Sequence, residues 1–91
     1  MSETQVIRVR YWAAARSAAG TAEDAVSVSG PVTLADLTSD VVRRHPASRF
    51  ADVIAVCSVL VGDQPVGSRD PAVVVVPPGS TVEFLPPFAG G

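Results

Sequence analysis

The residues best suited to chemistry in this sequence lie at its C-terminal end, where the printed chain closes with Gly90 and Gly91. A terminal carboxylate has a reference pKa of about 3.3–3.7, so it is ionised at neutral pH and can attack an activated phosphate. Glycine carries no Cβ, so a channel of another protein can close tightly around its backbone. We therefore predict that the reactive group of this protein is the carboxylate of Gly91.

The segment that leads to Gly91 is unusual in composition. Pro86 and Pro87 each fix one φ angle and favour a stiff, extended exit from the preceding strand. Phe88 and Ala89 follow without any charge. Fully extended, residues 86–91 reach roughly 20 Å. We predict an extended reactive tail over 86–91, loosely held from Phe88 onward; the alternative is an inert, flexible end that happens to finish in glycines.

The other reactive side chains are isolated. The single histidine, His45, falls at the end of a predicted helix, where it is expected to compensate the helix dipole or to be solvated. The single cysteine, Cys57, falls on the inward face of a predicted strand, where it is expected to be buried and inert. Neither residue has partners at metal-ligand or nucleophile spacing, the carboxylates are scattered, and there is no glycine-rich phosphate loop. We expect no metal, no bound cofactor and no independent active site.

Length and charge exclude several functional classes. The chain has 91 residues, 47 % of them hydrophobic, and a net charge of −2, which fits one small globular domain over residues 1–91. All seven cations are arginine and they form no basic stripe, so nucleic-acid binding has little support. The longest nearly continuous apolar stretch, 53–61, is far shorter than the roughly 18–20 residues of a membrane helix. One cysteine suits a reducing compartment, and we expect a cytoplasmic protein that binds no membrane.

Hydrophobic periodicity predicts the elements that must position the tail. A half-buried strand is indicated over 6–13, with Ile7, Val9, Tyr11 and Ala13 inward. The best helix runs from Thr33 to His45, with Thr33 as N-cap and Pro46 after its end. Further predictions are a helical turn over 14–19 ended by Gly20 and strands over 23–29, 57–61, 72–76 and 81–85. In the strand over 23–29, Val26 and Val28 are the inward residues and Ala25 is a further candidate. The segment over 47–56 has no assignment. This order indicates an α+β fold, with one main helix packed on one face of a mixed sheet.

Three large apolar residues point away from the predicted core side. Trp12, Leu60 and Leu85 fall on outward strand positions by the same alternation. If the first and last strands are neighbours, these side chains form an exposed apolar patch near the root of the tail, and such a patch is typical of a partner-binding site. The alternative is that a local loop buries Trp12.

The sequence resembles the MoaD type of the MoaD/ThiS sulfur carriers, the small subunit of molybdopterin synthase. The resemblance spans essentially the whole chain. Its most specific part is the strand followed by Pro86-Pro87-Phe88-Ala89-Gly90-Gly91, supported by the segment from Val9 to Arg16 with Gly20, by Thr33-Leu34 opening a helix, and by Gly79-Ser80-Thr81-Val82. Ser80 departs from the Asp often found in this turn, and Arg16 matches a recurrent arginine for which we have no physical account.

The resemblance implies a ubiquitin-like β-grasp fold and a non-catalytic, sulfur-donating role. An activating enzyme that uses ATP would adenylate Gly91, and a sulfur donor would convert the adenylate to a thiocarboxylate. The tail would then enter the large synthase subunit, which transfers the sulfur to precursor Z during molybdenum cofactor biosynthesis. Trp12 and Leu85 match family positions that face the partner.

Other functions remain open at the level of sequence. A carrier for thiamine or cysteine biosynthesis would share the Gly-Gly end. A ubiquitin-like modifier would be conjugated through Gly91 to lysines of target proteins. An interaction domain with an inert tail is the third class.

Overall fold

The computed structural model describes residues 4–87 of the chain. Within this range the elements are, in chain order, β1 (Gln5–Tyr11), α1 (Ala13–Ala19), β2 (Glu23–Val28), β3 (Val32–Thr33), α2 (Leu34–Arg44), α3 (Ser48–Ala55), β4 (Ser58–Val61), β5 (Gln64–Pro65), β6 (Val75–Val76) and β7 (Thr81–Leu85).

A mixed five-stranded sheet in the order β2-β1-β7-β4-β5 forms the frame of the molecule. The two middle neighbours, β1 and β7, run parallel, whereas β1 pairs with β2, and β4 with both β7 and β5, in antiparallel fashion. The condition for an apolar patch at the root of the tail, that the first and last strands are neighbours, is therefore met. A separate two-stranded ladder joins β3 to β6.

The alternation predicted for the first strand determines which face of the sheet is covered. Ile7, Val9 and Tyr11 are at most 2 % exposed, while Arg8 and Arg10 point to solvent. A slip of one residue would exchange these two sets, so the buried face fixes the register. The prediction for Ala13 is wrong: it opens α1 with φ of 48° and is exposed, because the chain leaves the sheet after Trp12.

The main helix begins and ends close to the predicted residues. The Thr33 hydroxyl accepts a hydrogen bond of 3.1 Å from the Asp36 N–H, which satisfies one of the free amides of the first turn. Leu34, Leu37 and Val41 of α2 are buried against the inner face of the sheet. The α+β class, with a main helix on one face of a mixed sheet, is confirmed.

Several local predictions are resolved or corrected. The unassigned segment 47–56 contains α3, whose Phe50 and Ile54 enter the core. Ala25 on β2 is exposed, because the inward position belongs to its neighbour Val26. The segment 72–76 forms a regular strand only at Val75–Val76, preceded by a turn. The core unites these elements through the following residues: Ile7, Val9, Tyr11, Ala15, Val26, Leu34, Leu37, Val41, Phe50, Ile54, Val66, Val74, Val76, Val82 and Phe84.

Candidate functional site

The tail leaves the molecule from the centre of the sheet. Strand β7 lies between β1 and β4, with Val82 and Phe84 buried and Leu85 half-buried at its end. Pro86 and Pro87 follow directly, the first half-buried and the second exposed. A strand paired on both sides is a rigid base, so the position at which the tail begins is fixed. The predicted tail residues Phe88, Ala89, Gly90 and Gly91 lie outside the described residues.

The side of the sheet that faces away from α2, here called the outer face, carries the three predicted apolar residues. Leu60 pairs with Glu83 and Ser58 with Leu85, so Leu60 and Leu85 are diagonal neighbours across β4 and β7. On the other side of β7, the Trp12 N–H donates to the Phe84 carbonyl at 3.2 Å, which brings Trp12 beside Leu85. The structure thus brings Trp12, Leu60 and Leu85 together at the root of the tail.

Trp12 is 40 % exposed, whereas Leu60 and Leu85 are half-buried. The alternative in which a local loop buries Trp12 therefore does not describe this structure. The outer face is not purely apolar, however. Glu83, which pairs with Leu60 and contacts Trp12, stands among the three apolar residues.

Two polar side chains contact the indole of Trp12. Its Nε1–H donates to Glu83 Oε1 at 3.0 Å, and the guanidinium carbon of Arg10 lies 5.0 Å from the ring centroid. Arg10 Nη1 is also 4.0 Å from Glu83 Oε1. Further along the same face, Arg8 Nη1 donates to Glu23 Oε2 at 3.0 Å. The charged groups of the outer face are thus arranged in pairs of opposite sign.

On the opposite side of the sheet, one carboxylate joins two strands to the main helix. Asp24 Oδ2 accepts a hydrogen bond of 2.6 Å from the Tyr11 hydroxyl and lies 2.6 Å from His45 Nε2. Because an ionised carboxylate only accepts, Nε2 carries the proton in this contact. Burial alone would raise the pKa of Asp24, but the hydrogen bonds from Tyr11 and His45 outweigh burial and hold the pKa below its usual value.

This cluster overturns one of the two alternatives expected for His45, that of a solvated side chain. The side chain is 16 % exposed, and its ring packs against Phe50 at a centroid distance of 4.8 Å, so it is not solvated. Tyr11 lies edge-on to both rings, and burial followed by the hydrogen bond to Asp24 raises its pKa. The partners are far apart in sequence and no spacing motif signals them. All three groups are engaged with one another, which indicates a structural rather than a catalytic role.

The single cysteine is partly accessible. Cys57 is half-buried just before β4, not fully buried on a strand as predicted, because β4 begins at Ser58. Its Sγ–H donates to the Val53 carbonyl at 3.2 Å. Burial raises the pKa of this thiol to about 11, so the thiol form dominates at neutral pH.

No cluster of metal-ligating side chains occurs in the part of the chain that the structure describes. An open groove of about 530 Å³ lies between the start of α2, the end of α3 and β4, and its described lining contains no carboxylate. Among residues 4–87, no helix has the length and apolar character that crossing a membrane requires.

Comparison with known proteins identifies the family. The family model described as "ThiS family" matches residues 9–91, nearly the whole chain and including the Gly-Gly end. Comparison with curated protein sequences finds no significant match.

Solved structures share the fold. SAMP1 from Haloferax volcanii is similar with a TM-score of 0.76 and 23 % identity, over 94 % of this chain and 99 % of that one. A putative molybdopterin converting factor, subunit 1, from Pyrococcus furiosus is similar with a TM-score of 0.74 and 21 % identity, over 92 % and 99 %. Urm1 from Trypanosoma brucei is similar with a TM-score of 0.74 and 20 % identity, over the full length of both chains.

These neighbours are ubiquitin-like β-grasp proteins, and the predicted β-grasp fold is confirmed. The family resemblance read from the sequence is confirmed as well. The chain belongs to the ThiS family of ubiquitin-like proteins.

Proposed function

We propose that this chain is the sulfur carrier subunit of a molybdopterin synthase. The observation that carries the proposal is the family match through Gly91, together with a proline pair that directly follows the central strand β7. A rigid strand at the root of the tail and a terminus without side chains suit a carboxylate that one enzyme converts to a thiocarboxylate and a second enzyme uses as a sulfur donor. The chain would act as a donor subunit, and the large subunit would supply the catalytic pocket.

The proposed cycle has three steps. A Gly91 carboxylate oxygen attacks the α-phosphate of ATP in the activating enzyme, and pyrophosphate leaves. The terminal sulfur of a persulfide on the sulfur donor then displaces AMP and gives an acyl disulfide. A thiol reduces this S–S bond, which releases the thiocarboxylate and leaves a disulfide on the donor. In the large subunit this sulfur is transferred to precursor Z, and water restores the carboxylate. Adenylation is needed because a free carboxylate is a poor acyl donor, whereas AMP is a good leaving group.

The outer face is the proposed docking surface for the large subunit. Trp12, Leu60 and Leu85 lie together where the tail begins, so docking of this face would place the tail at a defined entrance. Burying large apolar side chains contributes about 1.5–3 kcal/mol each. We expect Trp12→Ala to weaken binding to the large subunit at least tenfold while the fold stays intact, measured by titration calorimetry and circular dichroism. Val73→Ala, at an apolar residue that is 72 % exposed outside the sheet, is the matched control.

The pterin route is favoured over the thiamine and cysteine routes by three features. The Pro86-Pro87 pair and the segment from Trp12 to Arg16 resemble the molybdopterin synthase type, and one structural neighbour is a putative molybdopterin converting factor subunit. These features support the assignment of the acceptor, not the loading chemistry, which all sulfur carriers would share.

Intact mass spectrometry tests the loading step. The protein is incubated with an activating enzyme, ATP and a sulfur donor, and we expect a mass increase equal to one sulfur replacing one oxygen. A variant that lacks Gly91 should show no increase. Adding the large subunit and precursor Z should then yield molybdopterin and return the carrier to its original mass. A loaded carrier that forms no molybdopterin would reject the pterin assignment and leave the carrier role standing.

A ubiquitin-like modifier is the second candidate. It is favoured by the structural likeness to a protein named small archaeal modifier protein 1 and to Urm1. In that case Gly91 would form an isopeptide bond with a lysine of a target, and the mass experiment performed in cell extract would give adducts on other proteins.

A further inference from the structure

We propose that Arg10 and Glu83 are positioning residues that hold the Trp12 indole in one orientation on the outer face. The inference rests on the docking role proposed above for that face. In this role Glu83 holds one edge of the indole and Arg10 holds its face.

The contacts restrain the indole from two directions. Glu83 Oε1 accepts from Trp12 Nε1 at 3.0 Å, which holds one edge of the ring. The Arg10 guanidinium lies 5.0 Å from the ring centroid, which holds the face of the ring. An indole restrained at edge and face has few remaining rotamers.

The backbone beneath these side chains is rigid. Arg10 and Glu83 are register partners on the parallel strands β1 and β7, in the interior of the five-stranded sheet. The other neighbour of Glu83 is Leu60 on β4. Because pairing on both sides fixes the Glu83 Cα, its carboxylate can act as a fixed acceptor for Trp12.

The Glu83 carboxylate already has a hydrogen-bond donor and a cation beside it in the free protein. Its side chain is only 21 % exposed, compared with 46 % for Arg10, and both the indole N–H and the guanidinium face its Oε1. A carboxylate covered by an apolar partner surface without such donors would be strongly unfavourable. Because this chain supplies both donors, a partner surface that covers Trp12 needs no cation of its own opposite Glu83.

Orientation before binding affects affinity through entropy. A side chain that is already ordered loses less conformational freedom on docking, so the same contacts give a tighter complex. Loss of the restraint should therefore weaken binding without removing any apolar contact. This outcome distinguishes positioning from direct recognition.

The first experiment uses the free protein, because Trp12 is the single tryptophan of the chain. Acrylamide quenching and time-resolved fluorescence anisotropy report its accessibility and motion. We expect Glu83→Ala to increase both the quenching and the fast component of the anisotropy decay. Glu83→Gln, which keeps an acceptor oxygen, should remain close to the parent protein. Glu23→Ala is the charge-matched control, because it removes the other carboxylate paired with an arginine on the same face.

The second experiment measures binding to the large synthase subunit with the same variants. We expect Glu83→Ala to weaken binding about 3- to 10-fold, which corresponds to about 0.6–1.4 kcal/mol, with Glu83→Gln and Glu23→Ala near the parent value. Thermal unfolding of each variant shows that the fold is retained.

Two results would overturn the inference while the docking role stands. One is an indole in Glu83→Ala as restrained as in the parent protein. The other is an indole that becomes mobile in Glu83→Ala while binding to the large subunit stays unchanged, although Trp12→Ala still weakens that binding. If Trp12→Ala itself binds like the parent protein, the docking face is wrong and the inference falls with it, whereas the loading of Gly91 is tested separately by mass.

Discussion

Asp24 is the residue through which two strands and the main helix are linked. Its carboxylate takes hydrogen bonds from Tyr11 on β1 and His45 at the end of α2, both at 2.6 Å. The Arg44 guanidinium adds a bond of 3.1 Å to the carbonyl of the next residue, Ala25. Hydrogen bonds to a charged acceptor are stronger than neutral ones. A small domain with a modest core depends on such cross-links.

The stability of the protein should depend on pH through Asp24. Because the folded pKa of Asp24 is held below its usual value, its contribution is complete above the unfolded pKa of about 3.9 and is lost as the pH falls through the folded value. We expect Asp24→Asn to lower the free energy of unfolding at pH 7 by about 1–3 kcal/mol. This free energy should also fall less steeply in the variant as the pH drops below the unfolded pKa of about 3.9. Urea denaturation at a series of pH values measures both effects.

Asp52→Asn provides the control for this experiment, since Asp52 is an exposed carboxylate on α3. It should leave the stability at pH 7 and the acid dependence close to those of the parent protein. Equal acid dependence in the Asp24→Asn variant and the parent would contradict the role assigned to the cluster.

Cys57 should react slowly with alkylating agents. Burial raises the pKa of this thiol from 9.0 to about 11, so its thiolate fraction at neutral pH is about a hundredfold smaller than that of an exposed thiol. We expect iodoacetamide to modify the folded protein about two orders of magnitude more slowly than the same chain unfolded in urea, as followed by intact mass. Similar rates in the two states would show that the thiol is freely accessible.

At the scale of the elements, the C-terminal end of α1 depends on one glycine. Gly20 has φ of 75°, and its N–H donates to the Arg16 carbonyl at 2.9 Å. A Cβ there would meet no atom within 4 Å, so the effect of a side chain comes from the backbone conformation alone. We expect Gly20→Ala to cost about 1 kcal/mol and to lower the melting temperature by about 4–8 °C.

The matched substitution is Gly30→Ala, also in open space but without a positive φ. Its stability should be unchanged or slightly higher, because alanine has less conformational freedom in the unfolded chain. Equal losses in the two variants would mean that the left-handed conformation of Gly20 is not the cause.

Elements with strong periodicity and clear end signals could be predicted from the sequence. The strands β1 and β7 alternate cleanly, and α2 has a capping threonine and a proline after its end, so their bounds are close to the predicted ones. The segment that forms α3 lacks a side-chain cap, and it is helical because Phe50 and Ile54 are covered by the rest of the core. That coverage is tertiary, and a local pattern does not reveal it.

The same distinction separates the parts of the site. Trp12, Leu60 and Leu85 could be assigned to one face because alternation along a strand is local. The contact between Trp12 and Glu83 and the contacts within the Tyr11–Asp24–His45 cluster could not be predicted, because they span separations of 71, 13 and 21 residues. Such pairs depend on strand order and register, which the sequence pattern alone leaves undetermined.

At the scale of the whole molecule, the apolar part of the outer face and the start of the tail lie at the same end of the same strand. β7 contributes Leu85 and Glu83 to the outer face and continues directly into Pro86 and Pro87. A partner that binds the outer face therefore receives the tail at a fixed distance from the contact. This coupling suits both candidate functions, so the fold by itself does not choose between a sulfur carrier and a modifier.

The composition of the whole chain provides a discriminating test of the modifier alternative. All seven cations are arginine, so no side chain offers an amine for an isopeptide bond between copies. If Gly91 is conjugated to a target with a single lysine, we expect one adduct band on denaturing gels and no ladder. Arg16→Lys, at an exposed position on α1, supplies the missing amine and should permit further additions.

A ladder with the parent chain would show that copies are linked through some other group. A chain that is loaded with sulfur but gives no adduct, even with Arg16→Lys, would favour the carrier, because a thiocarboxylate without further activation does not acylate amines.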